Sequence, residues 1–146
     1  WTQKPVYPVN QNLKPYIKPA VFGLDMYQVL KNSRITLNIH ADSSPLFASN
    51  MRLFEATGIA TCMITDWKQN LSDFFEVDKE VVAYKTLDEC VEKIQWLLNN
   101  PKKCEEIAQS GNARVLREHT YECRAQQLVS IINQTLPCNM RTNAFR

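Results

Sequence analysis

The sequence predicts an α/β domain in which a parallel sheet is flanked by helices. Residues 35–40, 59–65 and 81–84 form short apolar segments typical of strands. Segments with the apolar spacing of helices lie before the first strand, between the first and second, and after the third. Parallel neighbours are favoured, because they need the long crossover connections that such helices provide. Three strands are few, so we expect preceding residues or another domain to cover a free edge.

The composition is that of one soluble globular domain. Of the 146 residues, 45% are hydrophobic and 22% are charged, with a formal net charge of +2. Basic residues are scattered among acidic ones, which excludes nucleic acid as an expected partner. No apolar run approaches the roughly 20 residues that span a bilayer, and the first residues lack a signal-peptide pattern. We therefore expect a soluble protein without a transmembrane segment.

The cysteines indicate a reducing compartment. They number five, include no C-x-x-C pair and fall mostly in regular segments: Cys62, Cys90, Cys104, Cys123 and Cys138. We expect reduced and mostly buried thiols, and hence a cytoplasmic protein.

The first half of the chain has clear boundaries. Residues 1–20 carry four prolines, which favour an extended arm or linker. A helix is predicted over residues 21–33, and the alternation of residues 34–40 then predicts a strand. A turn-rich loop follows, and a helix from Asn50 to Thr57 is stopped by Gly58.

The second half is mainly helical. After the second strand, residues 66–80 are irregular, with one helical turn near 71–75, and the third strand follows. Thr86 is expected to cap a helix to Leu98. Pro101 suits the first turn of a helix to about Glu118, and Thr120 caps a last helix to about Gln134. We predict one domain over residues 21–135 and a loose tail over 136–146.

The candidate ligand site lies after the first strand, because doubly wound sheets bind ligands beyond the carboxyl ends of their strands. This places it in the loop after His40 and at the helix start near Ser49. A helix that begins at Ser49 or Asn50 offers unpaired amides to a diphosphate, and Arg52 adds a positive charge. Glu55 lies on nearly the same helix face, where its carboxylate can accept hydrogen bonds from both hydroxyls of a ribose.

Simpler interpretations remain open for these residues. Arg52 and Glu55 have the spacing of an exposed ion pair worth a few tenths of a kcal/mol. His40 is placed to touch a phosphate or a sugar hydroxyl, but a single histidine is more often structural. The sequence contains neither a phosphate loop nor a G-x-G-x-x-G fingerprint.

The order of motifs resembles a known family. The run SNMRLFEATG at residues 49–58, followed by an apolar strand, resembles the N-x-R-x-F-E-x-x-x-G segment of group 1 glycosyltransferases of the spore-maturation type. The preceding LNIHAD, the later VVAY and the closing helices from LDEC onward are also similar. The resemblance covers about residues 22–132.

The resemblance implies a Rossmann-like domain, the C-terminal half of a GT-B enzyme. Glu55 would contact the donor ribose, with Asn50 and Arg52 beside the diphosphate. Many relatives carry a second glutamate eight positions earlier, where this chain has Phe47, so sugar contacts and stereochemical outcome do not carry over. GT-B enzymes generally neutralise the leaving diphosphate with helix dipoles and basic side chains, so we expect neither a metal nor a cofactor. The aspartates show no metal-ligand spacing.

We therefore expect a domain that binds a nucleotide-diphosphate sugar, such as a UDP-sugar, for metal-independent glycosyl transfer. An N-terminal acceptor-binding domain, not present in this chain, would complete the enzyme, and the isolated chain should be inactive. No pattern distinguishes base, sugar or acceptor. Phe47 and the short chain also permit a non-catalytic binding or assembly module that keeps the fold. A response-regulator-like domain is a weaker alternative, because its acidic cluster and lysine are not evident.

Overall fold

A computed structural model describes residues 11–135 and contains one three-stranded parallel sheet. Its strands are β1 (Ile35–Asn38), β2 (Cys62–Asp66) and β3 (Val82–Tyr84), in the order β1-β2-β3. β1 pairs in parallel with β2, and β2 pairs in parallel with β3. The predicted parallel sheet is confirmed.

Residues 11–135 form five α-helices: α1 (Gly23–Lys31), α2 (Arg52–Thr57), α3 (Leu87–Asn99), α4 (Pro101–Glu118) and α5 (Tyr121–Thr135). The predicted helix-start chemistry is confirmed at three of them. Thr86 caps α3 by accepting a 3.2 Å hydrogen bond from the Glu89 amide, and Pro101 is the first residue of α4. At α5, the Thr120 hydroxyl accepts from the Cys123 amide at 3.3 Å.

Several boundaries differ from the prediction, among them the end of β1 at Asn38 instead of residue 40. Within the predicted arm, a 3-10 helix forms at Gln11–Tyr16, because the fixed φ of Pro15 is compatible with that conformation. β2 begins at Cys62 because residues 59–61 form the turn out of α2, in which Ala60 has a φ of 59°. The first ten residues of the predicted arm and the predicted tail at 136–146 lie outside the described residues.

The core has two layers, one on each face of the sheet. Met63 and Ala83 face the layer formed with α1, α2 and the segment 71–81. Cys62, Ile64 and Val82 face the layer formed with α3 and α4. Residues 62–65 of β2 are fully buried, as expected for the central strand of a parallel sheet.

The cysteines are free thiols in the described part of the chain, as predicted. Cys62, Cys90 and Cys104 are buried and Cys123 is partly buried. Burial raises the pKa of the Cys62 and Cys90 thiols, so both are poor nucleophiles at neutral pH. Cys138 lies outside the described residues.

β1 is the edge strand on the side away from β3, and no other strand of residues 11–135 pairs with its outer side. Its apolar alternation predicts a strand correctly, but the apolar residues are not the buried ones. Leu37 and Ile39 are 49% and 66% exposed, whereas Asn38 is buried. The expected free edge is therefore present, and what covers it stays a prediction.

No helix within residues 11–135 has the length and apolar content needed to cross a membrane.

Candidate functional site

The loops that follow β1 and β2 are joined at the carboxyl edge of the sheet. The Ala48 amide donates to Asn70 Oδ1 at 2.6 Å, and Asn70 Nδ2 donates back to the Ala48 carbonyl at 3.2 Å. The Gln69 amide donates to the Leu46 carbonyl at 2.9 Å. These bonds fix the loop that leads into α2.

Two amide side chains, the buried Asn38 and the partly buried Asn50, connect β1, β2 and the start of α2. Asn38 Nδ2 donates to Thr65 Oγ1 at 3.0 Å, and Asn50 Nδ2 donates to Asn38 Oδ1 at 2.9 Å. Asn50 Oδ1 also accepts from the Leu53 amide at 3.3 Å. Asn50 is therefore a predicted site residue whose side chain already has protein partners on both its oxygen and its nitrogen.

The start of α2 differs from the expectation. The helix begins at Arg52 and has six residues, whereas a start at Ser49 or Asn50 was expected. Three amides of its first turn already have partners, since Leu53 donates to Asn50 and both Phe54 and Glu55 donate to the Met51 carbonyl. Because these donors are used internally and the helix is short, the Arg52 guanidinium is the stronger source of positive charge here.

Arg52 and Glu55 form an ion pair on α2. Arg52 Nη1 lies 3.3 Å from Glu55 Oε2, and the two side chains are 29% and 20% exposed. The Arg52 Nη1 atom is buried and makes no hydrogen bond of good geometry within residues 11–135. A half-buried cation therefore lies next to a carboxylate. This contact alone does not distinguish a ligand-binding pair from an ion pair that has no role in binding.

A groove of about 1010 Å³ runs along the outer side of β1, between α1 and the start of α2. Asn50, Arg52 and Glu55 line it at the α2 end, and Leu37 and Ile39 line it along the strand. This groove, called here the edge groove, brings together three of the five predicted site residues. Ser49 is exposed and lies outside its lining.

His40 is buried and bonded toward β2 instead of lining the edge groove. Its Nδ1 donates to Asp66 Oδ1 at 2.7 Å, and its backbone amide donates to the same oxygen at 3.0 Å. Lys68 Nζ lies 3.0 Å from Asp66 Oδ2 and donates to the Pro45 carbonyl at 2.9 Å. His40 Nε2 is buried and has no hydrogen-bond partner in the described chain.

The carboxylate of Asp66 is held ionised by its donors. Burial alone would raise the pKa of Asp66, but the hydrogen bonds from His40 and Lys68 outweigh it and hold the pKa below its ordinary value. Asp66 therefore fixes His40 in the form with a proton on Nδ1, and it links the loops after β1 and β2 by charge as well as by hydrogen bonds.

Three residues of this site are not predicted from the sequence: Asp66, Lys68 and Asn38. A usable signal exists, because His40 and Asp66 both lie at the carboxyl ends of strands predicted to be parallel neighbours, where their side chains can meet. Asn38 carries no comparable signal, since its partners are 12 and 27 residues away in sequence.

Comparisons with known proteins agree with this architecture. Residues 1–130 match the family described as "Glycosyl transferase-like". A search of curated proteins finds no match. Among solved structures, sucrose-phosphate synthase from Thermosynechococcus elongatus is similar, with a TM-score of 0.58 and 16% sequence identity.

The match to that structure covers 69% of this chain and 25% of the other, so the chain spans about a quarter of that protein's length. At this identity the likeness concerns the fold. The predicted fold class, a parallel sheet flanked by helices as in the C-terminal half of a GT-B architecture, is confirmed.

Proposed function

The chain belongs to the glycosyl transferase-like family, as its sequence resemblance predicts, and we propose that it is the donor-binding domain of a glycosyltransferase. In this proposal the domain holds a nucleotide-diphosphate sugar at the carboxyl edge of its sheet. An N-terminal domain outside this chain carries the acceptor, and transfer takes place between the two domains.

The observation that carries the proposal is the pairing of Arg52 with Glu55 in the edge groove. The groove lies at the carboxyl end of β1, where α/β sheets bind ligands. The Arg52 side chain is 29% exposed and supplies a positive charge for phosphate oxygens, and Glu55 has only one carboxylate oxygen in contact with Arg52. The pair therefore offers a cation for the diphosphate and an acceptor for the ribose hydroxyls.

Asn50 has a supporting role in the proposal. Its side chain bonds to Asn38 and to the Leu53 amide, so it holds the first turn of α2 against β1. We propose that this orients Arg52 and Glu55 toward the groove. His40 would act less directly, by fixing the loop through Asp66, and exposed Ser49 remains a candidate contact for the phosphates.

Charge stabilisation comes from the protein in this proposal. As the bond to the transferred sugar breaks, negative charge grows on the leaving diphosphate, and a fixed cation beside it lowers the barrier. Arg52 is placed to supply that cation, so no metal ion is invoked.

A second function is favoured by Phe47, which occupies the position where many relatives carry a glutamate toward the sugar. Its side chain is 53% exposed on the loop after β1. A domain without that carboxylate would keep nucleotide binding and lose transfer, which describes a non-catalytic module. Restoring the carboxylate with Phe47→Glu in the full-length protein separates the two functions, because only a module that has lost transfer should gain it.

Calorimetry on point variants tests donor binding. The ligands are UDP, GDP, dTDP and inorganic pyrophosphate. Hydrogen bonds to a charged group contribute about 1.5–3 kcal/mol, so Glu55→Ala should weaken binding of a nucleoside diphosphate by about 10- to 100-fold. It should leave pyrophosphate binding nearly unchanged, whereas Arg52→Ala should weaken both ligands.

Glu106→Ala provides a matched control. Glu106 also forms an i,i+3 ion pair, with Lys103 on α4, but both of those side chains are 60% exposed. Glu106→Ala should leave the affinity for both nucleoside diphosphates and pyrophosphate unchanged. If Glu55→Ala binds a nucleoside diphosphate as tightly as the unmodified chain, while thermal melts show both folded, the proposed ribose contact is wrong and the simple ion pair remains.

A further inference from the structure

A second cavity lies beside the edge groove, and we infer that it binds the aromatic base of the nucleotide. It has a volume of about 430 Å³ and lies between α1, α2 and the start of α5. Its walls include Tyr27, Met51, Phe54, Glu55, Tyr121 and Arg124. The inference rests on the proposed function, and the cavity is called here the base cavity.

Continuity between the two cavities supports this assignment. Tyr27, Met51 and Glu55 line both the edge groove and the base cavity, whereas Arg52 lines only the groove. In a nucleotide the ribose lies between the phosphates and the base. Arg52, Glu55 and the base cavity follow one another in the same order as phosphates, ribose and base. A ribose that is hydrogen-bonded to Glu55 would therefore direct its base into the cavity.

The chemistry of the walls fits a planar heterocycle. Sites for small ligands are typically about 300–1,000 Å³ in volume and mainly apolar, with a few polar groups that fix orientation. Here Tyr27, Phe54 and Tyr121 supply aromatic surface, and Met51 supplies a thioether. Tyr121 and Met51 are 86% and 64% exposed, so neither side chain is committed to the core.

Arg124 is the preorganised polar group of the base cavity. Its Nη1 donates to Gln127 Oε1 at 2.7 Å, and its Nη2 donates to His119 Nδ1 at 2.7 Å. His119 can accept that bond because its Nε2 donates to the Phe74 carbonyl at 3.0 Å. The guanidinium also lies over the Phe54 ring, 6.0 Å from its centroid. It is therefore held in place where it can donate to a base carbonyl or stack on the ring.

Tyrosine variants test the inference by calorimetry with UDP, GDP, dTDP and inorganic pyrophosphate. Loss of an aromatic stacking partner should weaken nucleoside diphosphate binding by about 5- to 100-fold in Tyr121→Ala and Tyr27→Ala, without affecting pyrophosphate. Tyr16→Ala is the matched control, because Tyr16 is 79% exposed and lines neither cavity. Met51→Trp, which fills the cavity, should weaken the same ligands.

The outcomes separate this inference from the proposed function. If Glu55→Ala weakens nucleoside diphosphate binding but Tyr121→Ala, Tyr27→Ala and Met51→Trp do not, the base lies elsewhere and the donor-binding proposal stands. If no nucleoside diphosphate binds the unmodified chain, both this inference and the donor-binding proposal fail. Photo-crosslinking with 5-iodo-UDP should label peptides that contain Tyr27 or Tyr121, and labelling confined to other peptides overturns the assignment.

Discussion

Replacing Asp66 by asparagine should destabilise the carboxyl edge of the sheet. The Asp66 carboxylate accepts two bonds from His40, at 3.0 and 2.7 Å, and pairs with Lys68 at 3.0 Å. An asparagine has one acceptor oxygen. If that oxygen accepts the hydrogen bonds from His40, the amide nitrogen faces the Lys68 ammonium. Lys68, whose side chain is 9% exposed, then keeps only its hydrogen bond to the Pro45 carbonyl.

The size of the loss follows from these contacts. A hydrogen bond to a charged group contributes about 1.5–3 kcal/mol, and removing one partner of a buried ion pair costs about 3–5 kcal/mol. The Asp66 side chain is 20% exposed, so water can replace part of what is lost. We expect Asp66→Asn to lower the free energy of unfolding by about 2–4 kcal/mol at pH 7.

The pH dependence has a defined sign. Because the pKa of Asp66 is lower in the folded chain, its ionised form stabilises the fold above the unfolded pKa of about 4. This contribution is lost as the pH falls through the folded pKa. The difference between wild type and Asp66→Asn should therefore be constant from pH 7 to about 5 and shrink below about pH 4.

Urea unfolding of wild type, Asp66→Asn, Lys68→Met and the double variant measures both the loss and the coupling between the two residues. Asp42→Asn is the control, since that exposed aspartate lies in the loop after β1, and it should change stability by less than about 0.5 kcal/mol. A loss below about 1 kcal/mol for Asp66→Asn at pH 7 would show that the contacts with His40 and Lys68 do not stabilise this edge of the sheet as expected.

Three further predictions concern packing, pH and activity. Gly111→Ala should lower the free energy of unfolding, measured by urea unfolding, by about 1–3 kcal/mol despite a helix-propensity gain of about 1 kcal/mol, because a Cβ would clash with the Glu80 carbonyl oxygen. Ser110→Ala, the control, should be nearly neutral. The pKa of His119 is lowered by burial and by repulsion from Arg124 and Arg114, which outweigh the Phe74 carbonyl. Stability should therefore fall as the pH drops below about 6.5, and His119→Gln should reduce that slope. The isolated chain should show no sugar transfer in a donor-consumption assay, because donor and acceptor must be held together, and robust turnover would contradict the two-domain proposal.

Local chemistry explains which elements could be predicted. The caps at Thr86 and Thr120 and the proline at the start of α4 use contacts within a few residues. The apolar segment at residues 59–65 predicts β2 as a strand, and its residues 62–65 are buried. The Arg52–Glu55 pair is equally local, because side chains three residues apart share a helix face.

Long-range polar contacts explain what could not be predicted. The start of α2 is set by Asn50, whose side chain bonds to Asn38 on β1, and no local pattern reveals that pair. Burial of Asn38 and exposure of Leu37 depend on which face of an edge strand the helices cover. The base cavity requires α1, α2 and α5 to meet, which is a property of the tertiary structure.

Mapping of backbone amide shifts by nuclear magnetic resonance tests donor binding at the edge groove most directly. The isotope-labelled chain is titrated with UDP, GDP and dTDP. The proposal predicts that a ligand that binds perturbs residues 38–40 and 50–55 most strongly, and leaves the exposed residues Lys102, Lys103, Glu105 and Glu106 of α4 unchanged. Saturable shifts centred away from the groove, or no saturable shift with any of the three ligands, would contradict it.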